Sequence, residues 1–312
     1  MQPLAGQLVV DLTWYLPGPF ASRELQRLGA RVVRIEPSNG DPMRRTAPAW
    51  HAALNAGKES VLCDLKAPDG LALAQGLAER ADVILEGFRP GVLKRLGLRL
   101  PSRAVVCSIT GFGSGGAHEQ RVGHDLNYLG FAGALADTAP SLPPVQIADL
   151  AAGALAAVVE ILAALVGGRG ARITVSMTHN AHRFVAHRLG GDPVPRLLTG
   201  GPPCYAIYPT ADGRWLTVGA LEPKFWRRLC ELIGRSDLLG RQWDAGAVDE
   251  LTALFRTRPL AAWLELFGDE DVCVGPVLTI PEAAEEFAPE PAEAPAPALG
   301  EHTEAWRREL RL

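Results

Sequence analysis

Cysteine is scarce in this chain and no recognisable motif surrounds it. The 312 residues include five cysteines, none in a CxxC pair, so neither a zinc site nor a disulfide framework is expected. No HExxH, GxSxG or EF-hand pattern occurs. His179, His182 and His187 share one stretch that offers no cysteine or carboxylate beside them. We therefore predict no metal site, and we expect a reducing, cytoplasmic location.

Motifs for nucleotide phosphates are also missing. No GxGxxG follows a predicted strand and no Walker A sequence occurs, which argues against a dinucleotide or P-loop site. A formal net charge of −4 is unlike the basic field of a nucleic-acid-binding protein. Arginines cluster only locally, between Arg31 and Arg45. This pattern favours a small anionic ligand over a polyanion.

Long apolar runs are few. The first twelve residues, MQPLAGQLVVDL, have neither a basic start nor a long apolar stretch, so no secretory signal is expected. The longest apolar run, residues 151–166, is interrupted by Glu160. We predict that it forms a buried helix too short to span a membrane. No contact with a membrane or a nucleic acid is expected.

Short β-rich runs alternate with helical patterns over the first 180 residues. Strands are predicted at 7–12, 30–35, 60–64, 81–85, 104–109 and 171–177. Helical spacing of apolar residues is found at 18–28, 70–79 and 149–166. Alternation of this kind favours a parallel sheet with helices on both faces. The predicted fold class is therefore α/β, with a large Rossmann-like parallel-sheet domain.

The second part of the chain predicts a small α+β domain. A hairpin with ADGR at its turn is predicted at 205–220, and helices at 223–233, 248–255 and 261–267. Polar and then Gly/Pro-rich sequence predicts a linker at 178–203, and sequence rich in Ala, Glu and Pro predicts another at 282–300. The predicted large domain covers 1–190 and is rejoined by 290–312, and the small domain covers 200–285.

Two polar residues in the large domain have positions suited to chemistry. His124 follows a glycine-rich loop at 111–116 and precedes a predicted helix, and parallel α/β proteins bind ligands at the carboxyl ends of their strands. Asp149 stands at the start of an apolar helix, where a short acidic side chain can cap free backbone N–H groups. From position alone, a structural role is favoured for His124, whereas Asp149 fits a helix cap and a chemical role equally well.

Nine segments of the chain together form an ordered pattern. They are LPGPFASRELQRLGARVVRIEPSNGDPMR (16–44), NAGKESVLCDLKAPDG (55–70), ADVILEGFRPGVLKRLGL (81–98), SITGFGSGG (108–116), GHDLNYLG (123–130), ADLAAG (148–153), LEPKFW (221–226), CVGPVLTIPEA (273–283) and LGEHTE (299–304). In these segments and their order the chain resembles the family III CoA-transferases, also called CaiB/BaiF proteins. Within that family it is most similar to the α-methylacyl-CoA racemase branch.

The resemblance implies a fold, a partner and a set of site residues. It implies the family III CoA-transferase fold in an interlocked homodimer, with coenzyme A entering as part of a thioester substrate and no tightly bound cofactor. The residues implied as acid/base groups are His124, Asp149 and Glu222. The residues implied as contacts to coenzyme A are Arg34, Lys58 and Arg89, which suit phosphates because they are cationic donors.

The implied reaction is racemisation of a 2-methylacyl-CoA-like thioester at the carbon alpha to the carbonyl. It requires two acid/base groups on opposite sides of one carbon, and a histidine with a carboxylate meets that requirement near neutral pH. Glu222 is interpreted either as a hydrogen-bond partner of His124 or as a surface residue beside Pro223. Backbone N–H groups at a helix start or in the glycine-rich loop are candidate donors to the enolate oxygen.

Two alternatives remain open at this point. Asp149 also suits a CoA-transferase, in which its carboxylate attacks an acyl-CoA and forms an acyl-enzyme without help from a histidine. His124 in GHDLNY and the segment LEPKFW favour the racemase. The second alternative is an acyl-CoA-binding protein without turnover, because Ala56 replaces the family's arginine and both linkers look shortened.

Overall fold

The computed structural model describes residues 2–288 and 294–312. The chain divides into two compact units, one formed by 1–187 with 291–312 and the other by 188–290. The part of the predicted second linker at 289–293 lies outside the described residues.

The first unit is built on a six-stranded sheet. Its strands are β1 (Leu8–Asp11), β2 (Arg31–Glu36), β3 (Glu59–Leu62), β4 (Val83–Glu86), β5 (Val105–Thr110) and β6 (Ala171–Ser176). They lie in the order β3-β2-β1-β4-β5-β6, and every neighbouring pair is parallel. The predicted Rossmann-like parallel sheet is confirmed.

Helices connect the strands and cover the sheet. The α-helices in the N-terminal part of this unit are α1 (Pro17–Arg27), α2 (Met43–Thr46), α3 (Pro48–Asn55), α4 (Pro68–Arg80), α5 (Val92–Leu96), α6 (Asp125–Phe131), α7 (Ala156–Val166) and α8 (Met177–Val185). Two neighbouring residues of β1, Val9 and Val10, are both buried but belong to different apolar clusters. Because side chains alternate across a strand, the sheet has a core on each face.

The C-terminal segment belongs to the first unit. Its helix, Thr303–Leu310, buries Trp306 in the same cluster as Val10 and Leu77. The indole N–H of Trp306 donates to Glu59, and the guanidinium of Arg31 lies 4.4 Å from the centre of the indole ring. The chain therefore returns to the sheet edge at β3 after it has formed the second unit.

The apolar run in the middle of the chain differs from its prediction. A π-helix, Ala148–Leu155, continues directly into α7, so that one helix of 19 residues with mean hydropathy 2.1 runs from Ala148 to Val166. The prediction that this helix is too short to span a membrane is wrong, because the helix begins before the apolar run and Glu160 does not end it. The prediction that the helix is buried on all sides is also wrong, since Val159 and Val166 are 64% and 90% exposed. By length and composition alone the helix could cross a membrane, although core helices pass the same test.

The second unit is a small α+β fold, as predicted. Strands β7 (Tyr205–Pro209) and β8 (Trp215–Gly219) form the expected hairpin, and β9 (Val274–Pro276) pairs with β8 to complete an antiparallel sheet. Its α-helices are α9 (Pro223–Leu232), α10 (Ala247–Phe255), α11 (Leu260–Phe267) and α12 (Ile280–Phe287). Two buried tryptophans, Trp226 and Trp263, donate their indole N–H groups to backbone carbonyls at 3.0 and 2.8 Å. The core of this unit is therefore both packed and hydrogen-bonded.

The first predicted linker is partly helical. Helix α8 covers Met177–Val185, and a 3₁₀ segment follows over Ala186–Gly190. The hydroxyl of Ser176 accepts a hydrogen bond from the backbone N–H of His179, which caps the helix start. The polar side chains that suggested a linker thus lie along a capped helix.

Candidate active site

A cavity of about 960 Å³ lies in the first unit at the carboxyl ends of the parallel strands. Its walls come from the segments that follow β1, β4 and β5, together with residues of the loop that leads into α6. The strand order reverses between β1 and β4, which is the position where open parallel sheets bind ligands. Both His124 and Asp149 line this cavity. The structure therefore brings together two residues that are far apart in the sequence.

His124 stands at the N-terminus of α6 and is exposed. Its backbone N–H donates to Oδ1 of Asn127 at 3.0 Å, and its carbonyl accepts from the N–H of Asn127 at 2.8 Å. These two bonds fix the backbone at the helix start. The imidazole lies edge-on to the ring of Tyr15, with 6.2 Å between the ring centres.

Asp149 does not cap its helix. The capping position is occupied by Ile147, and the backbone N–H of Asp149 donates to Oδ1 of Asp125 at 2.9 Å. The start of the π-helix is thus satisfied by a carboxylate from α6, so the cap interpretation of Asp149 is wrong. Its own carboxyl group lines the cavity.

Burial of the Asp149 carboxyl, together with the smaller effect of the negative charge of Asp125, raises its pKa to about 7. Both causes disfavour the ionised form. A carboxyl group with this pKa exists in both protonation states near neutral pH, so it can accept or donate a proton at a small cost in free energy. A strongly shifted carboxyl in a cavity is also typical of catalytic sites.

Asp125 provides a direct check on this electrostatic coupling. Replacing it with asparagine keeps a side-chain oxygen for the N–H of Asp149 but removes the neighbouring charge. We expect the pKa of Asp149 to fall in Asp125→Asn, while desolvation still holds it above the usual value for aspartate. The pH dependence of any Asp149-dependent rate should therefore move to lower pH, as a rate profile would reveal. An unmoved or upward-moved profile would contradict the assigned coupling.

Tyr128 ties the loop before α6 to the end of β5. It is buried, and its hydroxyl donates to the carbonyl of Gly123. A Cβ atom added at Gly111 would lie 2.4 Å from the Tyr128 ring, and one added at Gly123 would lie 2.8 Å from it. Only glycine leaves room for the ring at these two places. Burial, together with the smaller effect of the charge of Asp149, raises the pKa of Tyr128 to about 12.

Arg34 is buried and bonded within the protein. It is 1% exposed, and its Nη2 donates to Oδ2 of Asp41 at 2.9 Å and to the carbonyl of Thr13 at 3.0 Å. It does not line the described cavity. Contact between Arg34 and coenzyme A stays a prediction.

Lys58 is in a similar situation. It is 2% exposed, and its Nζ donates to the carbonyl of Pro19 at 2.7 Å, to Oγ of Ser22 at 2.8 Å and to Oδ1 of Asn55 at 3.0 Å. Burial lowers the pKa of Lys58 well below its usual value. All three protons of an ammonium group have acceptors in this arrangement. The predicted phosphate contact of Lys58 is untested, while its structural role in joining α1 to α3 is evident.

Arg89 is the member of the predicted coenzyme A set that lines the cavity. It follows β4, is exposed, and stands in the segment that forms one wall. Arg121 lines the same cavity and was not singled out from the sequence. The guanidinium of Arg121 lies 5.0 Å from the centre of the Phe131 ring. Two cationic side chains are therefore available to an anionic ligand at this site.

Glu222 belongs to the second unit. It is the exposed residue before α9, and its carbonyl accepts from the N–H groups of Phe225 and Trp226. The thiol of Cys273 lies close enough for the charge of Glu222 to raise its pKa, second to burial as a cause. The hydrogen bond predicted between Glu222 and His124 stays a prediction.

The glycine-rich loop divides between two cavities. Gly111 lines the main cavity, whereas the stretch from Gly113 to Gly116 lines a second one of about 670 Å³. The N–H of Gly113 donates to Oγ1 of Thr110 at 2.9 Å, and that of Gly115 to Oε2 of Glu119 at 3.1 Å. These two groups are thus occupied and do not suit an enolate oxygen in the main cavity. Over residues 2–288 and 294–312, no group of three or more metal-ligating side chains is found.

Two residues near the site were missed in the sequence. Asp125 is part of the GHD motif, but its contact with Asp149 was not predictable, because its hydrogen bond from the N–H of Asp149 joins two distant segments. Tyr15 gave no signal in the sequence either. Its importance depends on a backbone conformation and a ring contact that only the folded chain reveals.

Known proteins resemble this chain in both sequence and structure. The family model described as CoA-transferase family III matches residues 4–291. The α-methylacyl-CoA racemase of Homo sapiens is 33% identical over 357 aligned positions, which cover 96% of this chain and 91% of that protein. That alignment is longer than the chain, so the human protein has segments without a counterpart here.

A transferase and a solved structure extend the comparison. The succinate–glutarate CoA-transferase of Agrobacterium fabrum is 32% identical over 268 positions, which cover 74% of this chain and 66% of that protein. The crystal structure of a CaiB/BaiF family protein from Brucella suis is 25% identical, covers 99% of both chains and superposes with a TM-score of 0.83. With a parallel sheet, a cavity at its carboxyl ends and a family match over nearly the whole length, the chain belongs to CoA-transferase family III.

Proposed function

We propose that this protein racemises acyl-CoA thioesters by proton transfer at the carbon alpha to the carbonyl. The observation that carries the proposal is the presence of His124 and of the Asp149 carboxyl, with its pKa of about 7, in one cavity. Relatives include both racemases and CoA-transferases. A 2-methylacyl-CoA is the proposed substrate class.

The chemistry needs one proton shared between two groups. In one direction the Asp149 carboxylate removes the alpha proton, the electron pair moves onto the thioester oxygen as an enolate, and the imidazolium of His124 returns a proton to the opposite face. In the other direction neutral His124 removes the proton and protonated Asp149 returns one. Because the pKa of Asp149 is about 7, its carboxylate and its protonated form are both populated near neutral pH. Positioned groups of this kind typically supply about 10² to 10⁴ in rate.

CoA transfer through an Asp149 acyl-enzyme is the second candidate. The similarity to a CoA-transferase and the position of Asp149 in the cavity support it. A carboxyl with a pKa of about 7 is protonated in about half of the molecules at neutral pH, and only the ionised form is nucleophilic. Transfer also gives His124 no necessary role. The lack of a role for His124 in transfer favours the racemase.

A pair of assays separates these reactions. The protein is incubated in D₂O with a single epimer of a 2-methylacyl-CoA, and NMR follows deuterium at the alpha carbon. A parallel sample contains a free carboxylic acid, a new thioester is sought by mass spectrometry, and hydroxylamine is used to trap an acyl group on Asp149. Exchange with inversion supports the racemase, whereas a new thioester and a trapped Asp149 contradict it. Thioester binding without either reaction supports a binding protein and also contradicts the proposal.

We propose further that the protein is a homodimer, with the exposed side of the Ala148–Val166 helix covered by a second copy. Val159 and Val166 give this side an apolar character, and large apolar surfaces of folded proteins are usually contact sites. A reducing, cytoplasmic location accompanies this proposal, since the five cysteines form no disulfide in the described structure.

Val159→Glu tests the homodimer. A charge placed in an apolar interface loses hydration without gaining a partner, so we expect the variant to elute as a monomer in size-exclusion chromatography with light scattering. Ile280→Glu serves as the matched control, because Ile280 is also exposed but lies in the second unit. A dimeric Val159→Glu, or a wild-type protein that is monomeric at micromolar concentration, would contradict the proposed arrangement.

A further inference from the structure

Tyr15 has an unusual backbone conformation. Its φ is +62°, a region that a bulky side chain rarely adopts because its Cβ crowds the backbone. Strain of this kind persists only where the surrounding structure imposes it, and it is concentrated at functional sites. Tyr15 is 45% exposed and is not a member of the apolar clusters of the core. Burial of its ring therefore does not offset the cost of the strained conformation.

The segment around Tyr15 is fixed on its N-terminal side. The backbone N–H of Thr13 donates to Oδ1 of Asp11 at 2.8 Å, and the hydroxyl of Thr13 donates to the same oxygen. The carbonyl of Thr13 accepts from Arg34 at 3.0 Å. All three residues are buried. These hydrogen bonds therefore fix the direction in which the chain leaves β1.

The segment is also fixed on its C-terminal side. Helix α1 begins at Pro17, whose φ is restricted by its ring. A Cβ atom added at Gly18 would lie 1.8 Å from Oγ1 of Thr13, so the first turn of the helix packs directly against the fixed threonine. Only Trp14, Tyr15 and Leu16 remain to join the two. The positive φ of Tyr15 completes this short connection.

The connection directs the aromatic ring of Tyr15 to His124. Both residues line the main cavity. Their rings are perpendicular, with an interplanar angle of 90° and 6.2 Å between centres, which is the edge-to-face geometry that aromatic pairs favour. His124 is exposed at the start of α6, where an imidazole without a neighbour could rotate. The Tyr15 ring limits that rotation.

We propose that Tyr15 is a positioning residue that holds the imidazole of His124 in the orientation needed for proton transfer. The inference rests on the proposed racemase function. The buried bonds among Asp11, Thr13 and Arg34 then act on the reaction indirectly, because they impose the strained conformation that directs the ring. Proton transfer depends steeply on the placement of the base, and a displacement of about 1 Å can cost about 10²-fold in rate.

The test compares Tyr15→Asn with Tyr15→Phe. Asparagine tolerates positive φ but lacks the ring, so inversion of a 2-methylacyl-CoA should fall by about 10- to 100-fold while the melting temperature stays the same or rises. Phenylalanine keeps the ring and should restore most of the rate. Trp243→Asn is the matched control, since Trp243 is 44% exposed and lies in the second unit. A purely structural tyrosine would instead lose activity and melting temperature together, and that result would overturn the proposal.

Two further readouts separate this inference from the proposed function. In Tyr15→Asn, Asp149 is undisturbed, so one epimer should still exchange its alpha proton in D₂O although inversion is slowed. The ring protons of His124, identified in NMR spectra by comparison with His124→Ala, should shift in Tyr15→Asn and much less in Tyr15→Phe. Absence of exchange in the wild type would refute the proposed function, and unmoved His124 signals would refute the ring contact. Wild-type inversion in Tyr15→Asn would likewise refute the positioning role.

Discussion

His124→Ala is expected to lower inversion of a 2-methylacyl-CoA by about 10² to 10⁴, because one of the two proton-transfer groups is removed. Binding of the thioester should change little, since His124 is exposed at the helix start and its backbone bonds to Asn127 do not need the imidazole. The loss should therefore appear in kcat and leave KM nearly unchanged. Kinetics on purified protein, with circular dichroism as the check on folding, provide the measurement.

His187→Ala is the matched control for this variant. His187 is also exposed, belongs to the first unit and does not line the main cavity, so its removal should leave inversion unchanged. If His124→Ala inverts the substrate as fast as the wild type does, the assignment of His124 is wrong. If it keeps transfer of CoA to a free acid at the wild-type rate, the transferase is the better description of the protein.

Asp149→Asn is expected to lower inversion by about 10² to 10⁴ and to stabilise the protein above pH 7. The raised pKa means that the folded state keeps a proton that the unfolded state releases. As pH rises from about 4 to 7, the unfolded state ionises first and the wild type loses stability. Asparagine does not ionise and avoids this penalty, which is about 2 to 4 kcal/mol for a shift of about three pKa units.

The pH dependence of this stabilisation is the useful part of the experiment. The free energy of unfolding of Asp149→Asn should exceed that of the wild type at pH 8, and the difference should shrink as the pH falls and vanish below about pH 4. Urea titrations at several pH values measure it. A variant that is equally or less stable at pH 8 would mean that the Asp149 carboxyl has an ordinary pKa. The acid/base argument for Asp149 would then lose its electrostatic basis.

The first unit was predictable from sequence because its strands are β-branched runs bounded by glycine or proline. The run ARVVRI, for example, lies between Gly29 and Pro37, and β2 covers Arg31–Glu36. Strand β9 was not predictable, because three residues carry no periodic signal and Val274–Pro276 becomes a strand through pairing with β8.

The site was predictable in its residue types and less so in its geometry. The motifs led to His124 and Asp149, and the fold brings both to one cavity. The capping of the Asp149 helix by Asp125 depends on a contact between segments 24 residues apart, which spacing does not reveal. The same limit applies to Arg34 and Lys58. A cation in a motif looks like a ligand-binding group, whereas here the folded chain surrounds both with its own acceptors.

The central claim is that His124 and Asp149 act on opposite faces of one carbon. Alpha-proton exchange in D₂O, measured separately for each epimer in His124→Ala and Asp149→Asn, tests it most directly. Each variant keeps one base, so each should exchange one epimer much faster than it inverts it, and the two variants should exchange opposite epimers. If both variants exchange the same epimer, or if either inverts its substrate at the wild-type rate, the two-base account is contradicted.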